Sequence, residues 1–229
     1  MRIYGLNKTT LLDYPEHVAA TLFTGGCNFR CPFCQNGGLV LSPESQPALS
    51  LEEVLAFLEK RRGILDGVCI TGGEPTLQPD LAEFIRKIKG LGYRVKLDSN
   101  GYRPWALEGL LREGLLDYIA MDVKASRENY AKAVGFSNPE MSLVERSIEL
   151  IRGSGIDYEF RTTVVKGIHS IEEFEELGKW LAGSRVYFLQ TYRENENVIG
   201  SDCGPFSREE MEEMAKLAHK YIDRVEIRG

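Results

Sequence analysis

GGCNFRCPFCQNG, from Gly25 to Gly37, places three of the chain's five cysteines within eight positions. Cys27, Cys31 and Cys34 have no fourth cysteine close to them in the sequence. A structural zinc site usually takes four protein ligands, whereas a catalytic metal site leaves one position open. The residues alone leave two interpretations. One is a zinc site completed by a distant Cys or His, and the other is an iron–sulfur cluster held by three thiolates with one iron open.

Strand-like runs precede and follow this loop along the whole chain. Short β-rich runs alternate with longer stretches that carry apolar residues at helical spacing. The runs end near Phe23, Thr71, Asp98, Val123, Val165, Gln190 and Arg228. This alternation predicts parallel strands joined by right-handed helical crossovers. About six such units are too few to close an eightfold barrel, so we predict an α/β fold: a partial (β/α)6 TIM-like barrel with a mostly parallel sheet, in a single domain over residues 1–229.

Helix starts are marked by serine and asparagine. Ser50, Ser170 and Ser207 are each followed three residues later by a glutamate, which is the capping-box pattern. Asn138 precedes Pro139 and so predicts a further helix with proline at its first position.

Composition excludes several classes of protein. The chain has 229 residues, is 43% hydrophobic and carries a net charge of −6 without a Lys/Arg-rich block. A nucleic-acid partner is therefore not expected. No apolar run is long enough to span a membrane, and the first residues do not resemble a signal peptide. We expect a cytoplasmic protein, whose clustered cysteines hold metal or do chemistry rather than pair as disulfides.

Polar motifs fall where the predicted strands end. In parallel α/β sheets ligands bind at the carboxyl ends of the strands, so these motifs predict one shared active site. They are the cysteine loop, TGGEP (71–75), DSNG (98–101), Asp122 with Lys124, Arg161 and Gln190.

Each motif taken alone also has an ordinary explanation. TGGEP and DSNG are good turn sequences. Asp122 and Lys124 alternate along a strand and could form a simple buried ion pair. Cys69 lies in an apolar run and is expected to be a core residue, and Cys203 is assigned no role.

Two motifs in sequence order carry a resemblance to a known family. Cys27-x3-Cys31-x2-Cys34, with Phe33 before the last cysteine, resembles the cluster loop of radical S-adenosylmethionine (radical SAM) enzymes. GGEP, one βα unit later, matches the second motif of that family. The resemblance implies a 4Fe–4S cluster on the three cysteines and S-adenosylmethionine bound to the open iron. The radical is borne by the cofactor, so no side chain is expected to be catalytic in itself.

The resemblance also implies which residues bind the cofactor. Gly73 and Glu74 would accept hydrogen bonds from its amino group, while Ser99 and Asn100 would bind its ribose or carboxylate. Arg161 would supply a positive charge for the carboxylate. The full predicted set is Phe33, Gly72, Gly73, Glu74, Asp98, Ser99, Asn100, Asp122, Lys124, Arg161 and Gln190.

Within this family the chain is similar to activating enzymes of glycyl radical enzymes, above all to anaerobic ribonucleoside-triphosphate reductase activating proteins. The likeness is carried by the opening GLNKTTLLDYPEHVAATLFTGGCNFRCPFCQN (5–36), the motifs DSNG and AMDVKA, and the ending EIRG. In such activators two aspartates placed like Asp98 and Asp122 help to bind a monovalent cation. The chain departs from the pattern at Gln35, where many activators have histidine, and it has no room for a ferredoxin-like insert after Cys34.

This likeness predicts the reaction and the partners. The enzyme would cleave S-adenosylmethionine reductively and abstract hydrogen from a glycine in the C-terminal glycyl loop of a partner enzyme. Its electron donor would be a flavodoxin or ferredoxin. One alternative is a radical SAM enzyme that modifies another peptide or a small metabolite. An alternative of another class is a non-catalytic iron–sulfur or zinc-binding protein.

Overall fold

Eight strands lie side by side in chain order in one sheet. The computed structural model describes all residues, 1–229. The strands are β1 (Ile3–Thr10), β2 (Ala19–Thr24), β3 (Gly67–Gly72), β4 (Arg94–Ser99), β5 (Tyr118–Asp122), β6 (Asp157–Val164), β7 (Tyr187–Thr191) and β8 (Val225–Arg228). From β2 to β8 every neighbouring pair is parallel. The predicted open, mostly parallel barrel is confirmed.

Helices connect successive parallel strands, as the alternating pattern predicts. They are α1 (Gly37–Leu41), α2 (Leu51–Lys60), α3 (Leu81–Gly90), α4 (Pro104–Arg112), α5 (Tyr130–Val134), α6 (Met141–Gly153), α7 (Glu173–Trp180) and α8 (Arg208–His219). Short 3₁₀ turns follow at Pro43–Ser45 and Pro75–Leu77. Six strand–helix units run from β2 to the end of α8, and β8 follows them. No helix of the structure has the length and apolar character needed to cross a bilayer.

Strand β1 is the strand that the sequence analysis missed. It pairs antiparallel with β2 at the edge of the sheet. Only its two end residues, Ile3 and Thr10, are buried, and Asn7, Lys8 and Thr9 are exposed. An edge strand with so little buried apolar surface lacks the alternation that identifies the inner strands.

The two faces of the inner strands differ in chemistry. In β4, Val95 and Leu97 are fully buried in the apolar core. The alternate residues Lys96 and Asp98 point to the concave side, where they pair with each other. Since alternate side chains of a strand face opposite sides, the helices cover the apolar face and the barrel interior is polar.

Two of the predicted helix starts are confirmed in detail. Ser50 and Ser207 both form complete capping boxes with the glutamate three residues later. These contacts involve only neighbouring residues, so the local sequence is sufficient to specify them.

Two other predicted starts are wrong. Helix α7 begins at Glu173 instead of just after Ser170, because the Glu173 carboxylate accepts hydrogen bonds from the Ser126 backbone and the Asn129 amide. Helix α6 begins at Met141, and Asn138 instead takes a left-handed conformation with φ of 55°. Tertiary contacts override the local signal at the first site.

Candidate functional site

A cavity of about 300 Å³ opens at the carboxyl ends of the parallel strands. All fourteen residues that the sequence analysis assigned to the cluster and the cofactor line it. They are Cys27, Cys31, Phe33, Cys34, Gly72, Gly73, Glu74, Asp98, Ser99, Asn100, Asp122, Lys124, Arg161 and Gln190. The loops therefore meet in one place, as expected for the strand ends of a parallel sheet.

The three thiols lie on the loop that follows β2. Burial raises the pKa of Cys27 to about 11 and the pKa of Cys31 to about 12, so both are protonated until a metal displaces the proton. No group of three Cys, His, Asp or Glu side chains lies around a single point in the structure. A four-iron cluster takes each thiolate on a different iron, which suits three separated thiols around one cavity.

The cysteine loop packs directly against the TGGEP loop. The backbone nitrogen of Glu74 donates a 2.8 Å hydrogen bond to the carbonyl oxygen of Gly26. A Cβ atom on Gly73 would lie 1.9 Å from that same oxygen, so only glycine fits there. Asn36 adds a 3.0 Å hydrogen bond from its side-chain nitrogen to the carbonyl of Gly72. The paired glycines thus allow two loops to touch at the wall of the cavity.

The Glu74 carboxylate joins three loop segments. Its Oε1 accepts hydrogen bonds from the Thr76 backbone, the Thr76 hydroxyl and the Ser99 hydroxyl, and its Oε2 accepts one of 2.7 Å from the Asn100 nitrogen. Burial raises the pKa of Glu74, and these hydrogen bonds oppose the shift. Because both oxygens accept hydrogen bonds from other segments, the side chain braces the site.

Asn100 also has its side chain bound within the protein. Its amide nitrogen donates to Asn28 Oδ1 at 2.8 Å, and its amide oxygen accepts from the Tyr102 nitrogen at 3.0 Å. Asn100 therefore links the loop after β4 to the cysteine loop, next to Cys27. Sequence reasoning predicted contact with the cofactor here and did not foresee this bracing contact.

A chain of ion pairs crosses the barrel interior, and four of its residues line the cavity. Lys96 pairs with Oδ1 of Asp98, and Arg161 Nη1 lies 3.3 Å from Oδ2 of the same residue. Arg161 Nε donates to Asp122 Oδ1 at 2.8 Å, and Lys124 donates to Asp122 Oδ2 at 2.9 Å. Every oxygen of the two aspartates therefore has a protein cation as partner.

This network holds the aspartates ionised. Burial alone would raise the pKa of Asp98 and Asp122, but Arg161 and the neighbouring lysines hold both pKa values below the usual range. The network continues to Glu159, whose Oε1 lies 3.8 Å from Arg161 Nη1 and 2.9 Å from Arg228 Nη1. Four cations and three carboxylates make up the network, and Asp13 and Glu74 add carboxyl groups to the cavity lining. The positive groups that line the cavity itself, and that could bind an anionic ligand group, are Lys124 and Arg161.

The loop between β7 and α8 forms a strap over the cysteine loop. Gly37 nitrogen donates to the Asn197 carbonyl at 3.0 Å, and Gly200 nitrogen donates to the Pro32 carbonyl at 2.7 Å. Gln35, the position at which many activators have histidine, donates from its side chain to the Arg193 carbonyl at 2.5 Å. Gln35 therefore both contacts the strap and lines the cavity.

Nine further residues line the cavity, and the sequence analysis gave none of them a part in binding the cluster or the cofactor. They are Asp13, Thr21, Phe23, Phe29, Gln35, Asn36, Val40, Thr71 and Thr163. Asp13 accepts a hydrogen bond from the Thr21 hydroxyl and enters from the loop between β1 and β2. It follows two exposed leucines in an irregular segment, and no signal in the residues alone distinguishes it.

Comparison with known protein families identifies the family of this chain. The family model of the radical SAM superfamily matches residues 21–181, which include the cysteine loop and the first five strand–helix units of the parallel sheet. The chain belongs to the radical SAM superfamily.

The similar proteins carry the names of two different activities. A protein of Methanocaldococcus jannaschii named "Putative glycyl-radical enzyme activating enzyme" is 32% identical over 99% of this chain and 95% of its own length. A second such protein from the same organism is 30% identical over 90% of the chain and 78% of its own length. A "Probable GTP 3',8-cyclase" of Saccharolobus islandicus is 31% identical over 93% of the chain and 66% of its own length.

Solved radical SAM structures share the fold at low identity. Streptococcus suis SuiB superposes with a TM-score of 0.71 at 14% identity, over 92% of this chain and 49% of SuiB. Escherichia coli QueE gives a TM-score of 0.52 at 18% identity, over 82% of this chain and 83% of QueE. The chain spans about half the length of SuiB, and these likenesses concern the fold alone.

Proposed function

We propose that this radical SAM protein activates a glycyl radical enzyme by abstracting hydrogen from a glycine Cα of its partner. The single observation that carries the proposal is the arrangement of Cys27, Cys31 and Cys34 on one open cavity at the strand ends. The two relatives named as activating enzymes, which this chain matches over most of its length, support the choice of substrate. A flavodoxin or ferredoxin is proposed as the electron donor.

The donor set fits a 4Fe–4S cluster and S-adenosylmethionine. The three thiols would hold the cluster, and the fourth iron would take the amino and carboxylate groups of S-adenosylmethionine. When both are bound and the electron donor supplies one electron, the group would release methionine and supply a 5′-deoxyadenosyl radical that can remove a hydrogen atom from the substrate. The chain's own residues bind and orient this cofactor and limit the access of water.

Each loop has a proposed part in holding the cofactor. The Gly73 and Glu74 carbonyls would accept from the amino group, while the Glu74 carboxylate and the Asn100 amide keep their loops fixed. Lys124 and Arg161, which both pair with Asp122, would supply positive charge for the carboxylate. Gln190 and Phe33 line the same cavity from other elements. We further propose that residues 1–229 form a single radical SAM domain, since all eight strands join one sheet.

A glycine target is chemically reasonable in a partial barrel. Because glycine has no side chain, its Cα can approach a recessed cavity closely. The flanking amides delocalise the radical that forms there. The partner loop would enter as an extended segment bound largely through its backbone. Since a mobile loop must become ordered, an isolated glycyl-loop peptide should bind weakly.

Deuterium transfer tests the proposal. The protein is reconstituted without oxygen and given S-adenosylmethionine, a reductant and a glycyl-loop peptide deuterated at the glycine Cα. Deuterium in the 5′-deoxyadenosine product is expected, and the Cys31→Ala variant serves as the control without cleavage. Cleavage without transfer from any glycyl-loop peptide or partner enzyme would refute the activating function and leave the family assignment intact.

A second candidate is a reaction on a small metabolite. The relative named as a GTP cyclase favours it, because it matches 93% of this chain. Deuterium transfer from a labelled nucleotide, and none from the glycyl peptide, would identify that alternative.

A further inference from the structure

The aspartates expected to bind a monovalent cation already have protein cations as partners. Asp98 is bonded to Lys96 through one oxygen and to Arg161 through the other. Asp122 is bonded to Arg161 and to Lys124 in the same way. A metal cation at these oxygens would crowd the ammonium and guanidinium groups already bound there, and it would add a positive charge beside three others.

Lys96 is held firmly in this position. It lies on β4 two residues before Asp98, so both side chains point to the barrel interior. Its side chain is 2% exposed, its Nζ is 3.8 Å from Cys69 Sγ, and it lies 5.8 Å from the centre of the Tyr118 ring. A buried ammonium with these neighbours cannot swing into solvent without leaving Asp98 as a buried, half-paired carboxylate.

We infer that Lys96, with Arg161, takes the place of a monovalent cation, so that the cofactor site of this protein works without one. Lys96 is then a positioning residue. Its ammonium neutralises Asp98 and leaves Arg161 oriented between the two aspartates toward the cavity. The inference rests on the S-adenosylmethionine site of the radical SAM fold and is independent of the glycine target.

Cation binding to the protein before reconstitution tests the inference directly. Thallium-205 resonance should show no stoichiometric site in the wild-type protein. Its melting temperature should be the same in potassium chloride and in N-methylglucamine chloride of equal concentration. Lys96→Met should melt lower in N-methylglucamine chloride and recover in potassium chloride, because a metal ion can then bind Asp98.

Calorimetry with S-adenosylmethionine on the reconstituted protein extends the test. Lys96→Met should lose about tenfold or more in affinity without potassium and regain most of it with potassium, as expected for a charge-assisted contact. Lys89→Met is the matched control. It breaks the half-buried Lys89–Asp117 pair on the helical side and should show no response to potassium.

Two results would overturn the inference. One is a stoichiometric thallium site, or potassium-dependent melting, in the wild-type protein. The other is a folded Lys96→Met protein with unchanged affinity in both salts. If Lys96→Met does not fold, the wild-type thallium and melting measurements still decide the question, and neither needs the cluster or a partner enzyme.

Discussion

The backbone nitrogen of Gly37 donates a 3.0 Å hydrogen bond to the carbonyl oxygen of Asn197, and this contact joins α1 to the strap. The two residues are far apart in the sequence, yet they meet beside the cysteine loop. A Cβ atom on Gly37 would lie 2.2 Å from the Asn197 oxygen. Attachment of the strap therefore depends on a glycine at this position.

Gly37→Ala should detach part of the strap. Relief of the overlap requires a backbone shift, for which we expect a loss of about 1–3 kcal/mol in the free energy of unfolding. The reconstituted variant should also lose its cluster faster in air. Gly38→Ala is the matched control, since its Cβ would meet only the flexible Gln46 side chain at 3.0 Å. Equal stability of the two variants in urea unfolding would contradict this account of the strap.

Cys27, Cys31 and Cys34 should each be required for the cluster. Alanine at any one of them should abolish the brown 4Fe–4S chromophore and all cleavage of S-adenosylmethionine, because each thiolate holds a separate iron. Cys69→Ala and Cys203→Ala should retain both, and iron and sulfide content after anaerobic reconstitution provides the measurement. A Cys203→Ala protein with half the iron of the wild type would reveal a second metal site.

Glu74→Gln should weaken the site without removing the cluster. The introduced amide nitrogen would face a backbone or hydroxyl donor at Thr76, Ser99 or Asn100. An unmatched buried donor costs about 1–3 kcal/mol, and the affinity for S-adenosylmethionine should fall with the loosened loops. The control is Glu53→Gln at the exposed capping box of α2, which a glutamine can also form. If both variants melt at the same temperature, Glu74 does not brace the loops.

Stability should fall in acid because of Asp98 and Asp122. Burial would raise their pKa values, yet the neighbouring cations hold both below the unfolded value of about 3.9. A lowered folded pKa means that the native state binds fewer protons, so the contribution is present above about pH 4 and is lost as the pH falls further.

Thermal melting of the unreconstituted protein between pH 6 and pH 3 measures this loss. Asp122→Asn should give a flatter profile than the wild type, because one of the two titrating groups is gone. The exposed Asp202→Asn variant should follow the wild-type profile. A wild-type melting temperature that stays constant down to pH 3 would show that the network adds no pH-dependent stability.

The fold and the composition of the site could be predicted from the sequence because both depend on simple regularities. Strand and helix patterns specify the parallel sheet, and the sheet brings every strand end to one edge. This is why Cys27, Glu74 and Arg161 line one cavity although they are distant in sequence.

The individual contacts could not be predicted, since they depend on distances between elements. Lys96 in VKLD has the alternation of a polar strand face and gives no sign that its ammonium is buried against Asp98. Glu173 has the spacing of a capping box but binds Ser126 and Asn129 instead. Pattern reasoning identifies which residues face the barrel, and only the packed structure shows what each one binds.

The strap has a consequence for the order of events during protein synthesis. The cysteine loop leaves the ribosome before the residues that hold it in place, Arg193 to Gly200, which are made only after β7. Until then Cys27, Cys31 and Cys34 lie on a segment that lacks its covering loop. Delivery of iron and sulfide should therefore follow translation, and a nascent chain stalled before β7 should emerge without a cluster.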